Sequence, residues 1–317
     1  MDNELVNLQK DVLNDAVREL VDPAVFIGEV PPTFQGSNYG YVTAGVSSNV
    51  IQKFSFTSDG NGTDVGDLTT PMLGVAGQSS QTHGYASGKG IINKFTFSTD
   101  QNATLVGSLV TGVPLEQYAG QSSRTFGYVT GGGTPNPYTN VIQKFPFAAD
   151  NNATDVGDLT QNTKASAGQS AWVTDYGYNS GGISTRQPDG TVQNRIEKFS
   201  FTSDGNATDI ANLTVSRSLP SGQSSETHGY TSGGNAPAAT NVIDKFPFAA
   251  DVNATDVGDL TVARSGTAGQ SSTISGYASG GFPTSDTIDK FPFASDANAT
   301  DVGNLAAGQY YCGGQQY

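Results

Sequence analysis

The sequence predicts an all-β fold of six repeated units behind one short helix, and three observations predict it. The hexapeptide Ile-x-Lys-Phe-x-Phe occurs six times, at 51–56, 92–97, 142–147, 196–201, 243–248 and 288–293. A Gly-Tyr pair precedes each copy, with its glycine at Gly40, Gly84, Gly127, Gly177, Gly229 and Gly276, so successive copies are spaced from 43 residues (Gly84 to Gly127) to 52 (Gly177 to Gly229). An Asp/Asn-rich turn follows each copy. That period is the length of one four-stranded blade of a β-propeller, so the expected architecture is a six-bladed ring.

Each unit reads as four extended stretches. From Ala268 onward they are Ala-Gly-Gln-Ser-Ser, Gly-Tyr-x-x-Gly-Gly, Ile-x-Lys-Phe-x-Phe and Asn-Ala-Thr-Asp-Val-Gly-Asn-Leu. They are short, alternating or β-branched, and bounded by Gly, Asn, Asp and Pro, which suits strands and is too Gly-rich for helices. Alternation puts Phe54 and Phe56 on one face of the third strand, and likewise in every copy. A lone unit would expose that pair, so Phe54, Phe95, Phe145, Phe199, Phe246 and Phe291 are expected to be buried between neighbouring units.

The first-strand motif Ala-Gly-Gln recurs at Ala307-Gly308-Gln309, and no well-aligned version precedes Gly40. A C-terminal segment at about 306–311 is therefore expected to supply the first strand of the first unit and close the ring. Residues 33–38 are the other candidates for that place.

Residues 3–21 break the β pattern. Leu5, Leu8, Val12, Ala16 and Leu20 recur at three- and four-residue steps and Asp22-Pro23 ends the run, as in an amphipathic helix. An isolated helix of that length is marginal in water, so it must pack, either on the ring itself or on a partner protein or sister copy. Val30-Pro31-Pro32 reads as a stiff spacer. The expected division is 1–32, an anchoring helix and spacer with Leu5, Leu8, Val12 and Leu20 as partner-binding residues, and 33–317, the ring.

The Gly-Gly after the second strand (Gly131-Gly132, Gly181-Gly182, Gly233-Gly234, Gly280-Gly281) and the aromatic third strand resemble the kelch family of β-propellers over residues 40–309. That family usually places Tyr in strand three and Trp in strand four. Here those places hold Phe and Leu (Leu68, Leu109, Leu159, Leu213, Leu260, Leu305).

Composition narrows the function. The formal net charge is −14, and six of the nine lysines sit at the repeated Lys-Phe position, so no basic patch exists to hold nucleic acid. Cys312 is the sole cysteine, which rules out an intrachain disulfide. No run approaches the ~18 apolar residues of a membrane span. The acidic start Met1-Asp2-Asn3-Glu4 is unlike a signal peptide.

Candidate chemistry is sparse. Asp59, Asn61 and Asp64, and their cognates, offer oxygen ligands for Ca²⁺, yet the loop lacks a downstream bidentate Glu and reads better as an Asx turn. No cofactor or metal is expected. The recurring Asp64, Asp155, Asp209, Asp256 and Asp301 match Lys53, Lys144, Lys198, Lys245 and Lys290 in regularity, predicting Lys–Asp pairs, with Lys94 facing Leu105 instead. Asn-x-Thr sequons at Asn61, Asn102, Asn152, Asn206, Asn253 and Asn298 read as turn residues. His83 and His228 occupy equivalent repeat positions, so they read as structural, and no nucleophile or metal box is present.

Strand-three-to-four turns are nearly identical, whereas the strand-two-to-three and strand-four-to-one loops vary. The varied end is thus the expected recognition face, with Arg186, Asp189, Arg195, Tyr138 and Tyr118 as its candidates. Phrases such as Lys-Phe-Pro-Phe-Ala-Ala-Asp-x-Asn-Ala-Thr-Asp-Val-Gly-Asp-Leu resemble predicted virion proteins of marine bacteriophages. The expected function is a non-enzymatic virion component of tail, fibre or capsid surface, made in the host cytoplasm without a leader. It would dock on other virion proteins or sister copies through its helix and present a face to a host glycan or protein. A bacterial intracellular kelch-like scaffold is the alternative, and a carbohydrate-processing enzyme the third reading.

Overall fold

The computed structural model describes residues 36–110, 116–133, 137–184 and 190–316. The helix expected over 3–21 lies outside them. The chain divides into two units, Met1–Thr33 and Phe34–Tyr317.

The regular elements among the described residues are all strands, and they assemble into six four-stranded antiparallel sheets and one small three-stranded sheet. Sheet 2 is typical, with strands Ala76–Ser79, His83–Gly88, Ile91–Thr96 and Thr104–Ser108 in that spatial order. These are the four stretches of the sequence repeat. Sheets 3 to 6 begin with first strands Ala119–Ser122, Ala167–Ala171, Ser221–Ser224 and Ala268–Ser271. Between strands three and four the register shifts once in every sheet, beside the isoleucine of the hexapeptide. Such a bulge bends the outer strand.

Sheet 1 takes its first strand from the far end of the chain. Gly313–Gln316 pairs with Tyr39–Thr43, which continues into Val50–Ser55 and Thr63–Asp67. Gln315 lies opposite Tyr41 as Gln78 lies opposite Tyr85. The closing strand is therefore C-terminal, as expected, but it lies at 313–316 and not at about 306–311. Ala307-Gly308-Gln309 is instead spent in the loop before it, where the Gln309 carbonyl accepts the Gly281 N–H at 2.7 Å.

Consecutive sheets touch through contacts repeated all the way round. Tyr41, Tyr85, Tyr128, Tyr178, Tyr230 and Tyr277 each lie on the second phenylalanine of the next sheet's hexapeptide, just past its third strand, with centroids 4.6–5.0 Å apart. The last contact, Tyr277 on Phe56, returns from sheet 6 to sheet 1. The first phenylalanines are buried, Phe246 to 1% exposure. They lie across their own sheet over the glycine of Gly-Tyr, where a Cβ on Gly229 would overlap the Phe246 ring. Gly-Tyr thus leaves room for one ring and supplies another.

Buried glutamines carry the same cycle. Gln78, Gln121, Gln169, Gln223, Gln270 and Gln315 each donate from Nε2 to the backbone carbonyl of the next sheet's stacking tyrosine at 2.9–3.0 Å. A glycine precedes each of these glutamines. A Cβ on Gly77 would overlap the Gly314 carbonyl, and the same relation links Gly120 to Gly77, Gly168 to Gly120, Gly222 to Gly168, Gly269 to Gly222 and Gly314 to Gly269. The six first strands therefore follow one another in a closed cycle, backbone against backbone.

Two outcomes test this packing. Phe246→Ala should cost about 3–5 kcal/mol in urea unfolding, the usual penalty for emptying a buried aromatic site. The tyrosines set a pH limit. Burial is the largest cause that pushes Tyr85, Tyr128 and Tyr230 up to about 12 from 10.0. A phenol that holds its proton more tightly when folded stabilises the fold fully below pH 10 and loses that contribution as pH rises to 12. The urea midpoint should fall across that window, in step with phenolate absorbance at 295 nm.

Candidate functional site

Each four-stranded sheet has two ends. At the turn end, where strand one meets strand two and strand three meets strand four, polar groups are paired with one another. Lys53, Lys94, Lys144, Lys198, Lys245 and Lys290 bridge to Asp100, Asp150, Asp204, Asp251, Asp296 and Asp59 of the next sheet. The partner is thus the first aspartate of the turn and not the Asp64-type residue, and Lys94 has a partner like the rest. These aspartates are 42–60% exposed, so each bridge is worth only about 0.2–1 kcal/mol and fixes geometry more than stability.

The Asp64-type carboxylate has local work. Asp64, Asp155, Asp256 and Asp301 accept the backbone N–H of Gly66, Gly157, Gly258 and Gly303 at 3.1–3.2 Å, next to the bulge. The sequon asparagines reach sideways. Asn61, Asn102, Asn152, Asn206, Asn253 and Asn298 each accept, on Oδ1, a backbone N–H from the preceding sheet's fourth strand at 3.0–3.1 Å. Asp59, Asn61 and Asp64 therefore turn their oxygens to three different partners, Lys290, Asn304 and Gly66. Among the described residues no cluster of three His, Cys, Asp or Glu could hold a metal. His83 and His228 bond Thr82 and Thr227 at 2.8 Å; burial first, and Lys94 or Lys245 second, hold their pKa below the usual histidine value.

The loop end is built differently. Two residues before each first strand lies Gly74, Gln117, Ala165, Leu219, Gly266 or Tyr311, all with φ between 56° and 65°. These six form a closed ring of backbone hydrogen bonds. Gln117 donates to Gly74, Ala165 to Gln117, Leu219 to Ala165, Gly266 to Leu219, Tyr311 to Gly266 and Gly74 to Tyr311, at 2.7–2.9 Å. Four of the six are not glycine, a conformation that costs about 1–2 kcal/mol per residue and persists because both neighbours demand it. Just inside the ring is Cys312, whose burial pushes its thiol pKa up and disfavours the thiolate.

Outside this ring the sheets diverge. Between sheets 3 and 4, Thr163–Lys164, Ile183–Ser184 and Thr191–Val192 form the small sheet, with the Lys164 ammonium 4.7 Å from the Tyr138 ring centre. At the seam of sheets 6 and 1, Phe282, Tyr310 and Tyr311 make edge contacts at 5.5 and 5.0 Å, and Phe282 is 50% exposed. Beneath the loops the residue after the hexapeptide isoleucine varies as Gln52, Asn93, Gln143, Glu197, Asp244 and Asp289, all buried. Asp244 pairs with Arg217, and Asp289 with Arg264 at 3.0 Å, all four side chains fully enclosed. Met72 and Asn93 occupy the equivalent places in neutral form. These buried arginines were not among the sequence candidates, although Leu-Thr-Val-x-Arg occurs twice, at 213–217 and 260–264.

Of the recognition candidates, Tyr138 is half-buried at this end beside Lys164. Tyr118 and Arg195 do not present their side chains at the surface. Tyr118 covers Gly132, and Arg195 lies 4.0 Å from the buried Glu197. Arg186 and Asp189 lie outside the described residues, as do Leu5, Leu8, Val12 and Leu20. No protein-family model matches the chain, and comparison with curated proteins finds none similar to it.

Two outcomes check these assignments. Ala165→Gly should leave stability unchanged or raise it by up to about 1 kcal/mol, the reverse of the usual loop substitution, because it relieves a left-handed residue; a loss above 1 kcal/mol would contradict the ring. Chelation should shift the melting temperature by less than about 2 °C, because the turn oxygens already have partners; a large drop reversed by Ca²⁺ would overturn that.

Proposed function

We propose that the ring of six sheets is a kelch-like β-propeller acting as a non-enzymatic binding module of a bacteriophage particle, at its tail, fibre or capsid surface. It docks through the N-terminal helix over 3–21 and recognises a partner, a host-surface glycan or protein, with its loop end. The observation that carries this reading is the contrast between the two ends. The turn end repeats one set of internally paired groups six times. The loop end departs from the repeat, with the small sheet beside Tyr138 and Lys164 and the exposed ring of Phe282 beside Tyr310. Aromatic and cationic groups that depart from a rigid repeat suit recognition.

The resemblance to marine phage virion proteins and the amphipathic helix support the location. Deleting residues 1–30 should abolish incorporation into particles, read by mass spectrometry of purified virions, while the soluble chain keeps its β-type circular dichroism. If the truncated chain unfolds, the helix belongs to the ring's own core and the anchoring reading fails.

A further inference from the structure

The residue before each Gly-Tyr opens strand two, near the lysine that bridges to the next sheet. In sheets 1, 3 and 4 it is aromatic, and the ammoniums of Lys53, Lys144 and Lys198 lie 4.7–4.9 Å from the ring centres of Tyr39, Phe126 and Tyr176. A ring face attracts a cation and brings no charge of its own. Sheet 6 has Ser275 at this place, and sheets 2 and 5 have His83 and His228, in the same register against strand three as Phe126.

Of these residues histidine alone changes charge near neutral pH. His83 and His228 are half-buried, and each is oriented by a 2.8 Å bond from Nδ1 to a threonine hydroxyl. The charged groups that act on His83 are Lys94 of its own sheet and, more weakly, Asp150 of sheet 3. On His228 they are Lys245 and, more weakly, Asp296 of sheet 6. Each histidine therefore faces both partners of the bridge that crosses its seam. A neutral imidazole leaves that bridge alone. An imidazolium repels the ammonium and competes for the carboxylate. The turn that carries Asp150 also carries Asn152 and Ala153, which bond to the backbone of Ser108 across the seam, and the turn of Asp296 carries Asn298 and Ala299, which bond to Asp259. A disturbed bridge thus reaches backbone bonds between sheets.

We propose that His83 and His228 make the ring acid-sensitive at two seams, between sheets 2 and 3 and between sheets 5 and 6, where protonation loosens the Lys94–Asp150 and Lys245–Asp296 bridges. These seams lie three sheets apart in either direction round the cycle and divide it into halves of three. The other four seams carry no histidine and hold. Linkage fixes the direction. Burial first, and the lysine second, hold both histidines below their ordinary 6.5, so the fold favours the neutral ring. That contribution is complete above 6.5 and is lost as pH falls through the lower, folded-state value.

The test follows amide exchange of the full chain by NMR at about pH 7.5 and about pH 5.5, with each rate corrected for its intrinsic pH dependence; the lower value stays above the ordinary carboxylate range of about 4. Protection of Ser108, Ala153, Asp259 and Ala299 should fall about two- to fivefold, as loss of one exposed ion pair allows. Asp158, Ala207, Asn212 and Ala254, which bond across the seams between sheets 3 and 4 and sheets 4 and 5, should keep theirs. His83→Phe with His228→Phe, which installs the ring that sheet 3 carries at Phe126, should abolish the loss. Equal loss at all these seams, or no loss at the two, overturns the proposal from the parent chain alone. A selective loss that persists in the double variant overturns it as well and assigns the acid response to another group.

Discussion

Where the six first strands meet there is no room for a side chain. Gly77, Gly120, Gly168, Gly222, Gly269 and Gly314 each set a bare Cα against the carbonyl oxygen of the preceding sheet's glycine, and the cycle returns to its start. This close approach sets the spacing of everything farther out. It lets a glutamine reach the next sheet's backbone, and it brings each tyrosine onto the next phenylalanine with the same geometry six times over. Stability is then shared among equivalent seams. Each is an aromatic layer, with about 0.5–1.5 kcal/mol per ring pair beyond the area buried, rimmed by a weak Lys–Asp bridge.

The same closure explains why the two ends differ in freedom. At the turn end, strands three and four are joined by a turn whose asparagine and first aspartate both bond to a neighbouring sheet, so a change in one copy disturbs two sheets. At the loop end the obligatory contacts are made by backbone, in the ring through Gly74, Gln117, Ala165, Leu219, Gly266 and Tyr311. Backbone contacts place little demand on side-chain identity. The loops could therefore diverge, and with them the buried residue beneath, from Asn93 with Met72 to Asp244 with Arg217.

Much of the fold was legible because period-two alternation and turn chemistry are local. The four strands of each unit, the burial of the phenylalanine row and the C-terminal origin of the closing strand all follow from the repeat. What was misread depended on geometry between sheets. Lys53 and the Asp64 row recur with the same regularity in sequence, but the sheet-to-sheet offset brings Asp100 to the ammonium instead. Ala307-Gly308-Gln309 copied the first-strand motif better than Gly313-Gly314-Gln315, yet only the latter brings a glutamine opposite Tyr41. The backbone ring had no signature to find, since its positions hold Gly, Gln, Ala, Leu, Gly and Tyr. Tyr118 and Arg195 looked available because they sit in variable segments, and variability does not report which way a side chain turns.

The most direct test of the central packing is a pair of glycine-to-alanine changes read by urea unfolding. At Gly62 the other five copies carry alanine, and a Cβ there meets nothing closer than 3.4 Å. Gly62→Ala should therefore be neutral or slightly stabilising. At Gly222 a Cβ would overlap the Gly168 carbonyl, a backbone atom that cannot turn aside. Gly222→Ala should cost about 1–3 kcal/mol or more, as overpacking does. A Gly222→Ala chain that unfolds at the same urea concentration as Gly62→Ala would show that the first strands are not packed backbone against backbone.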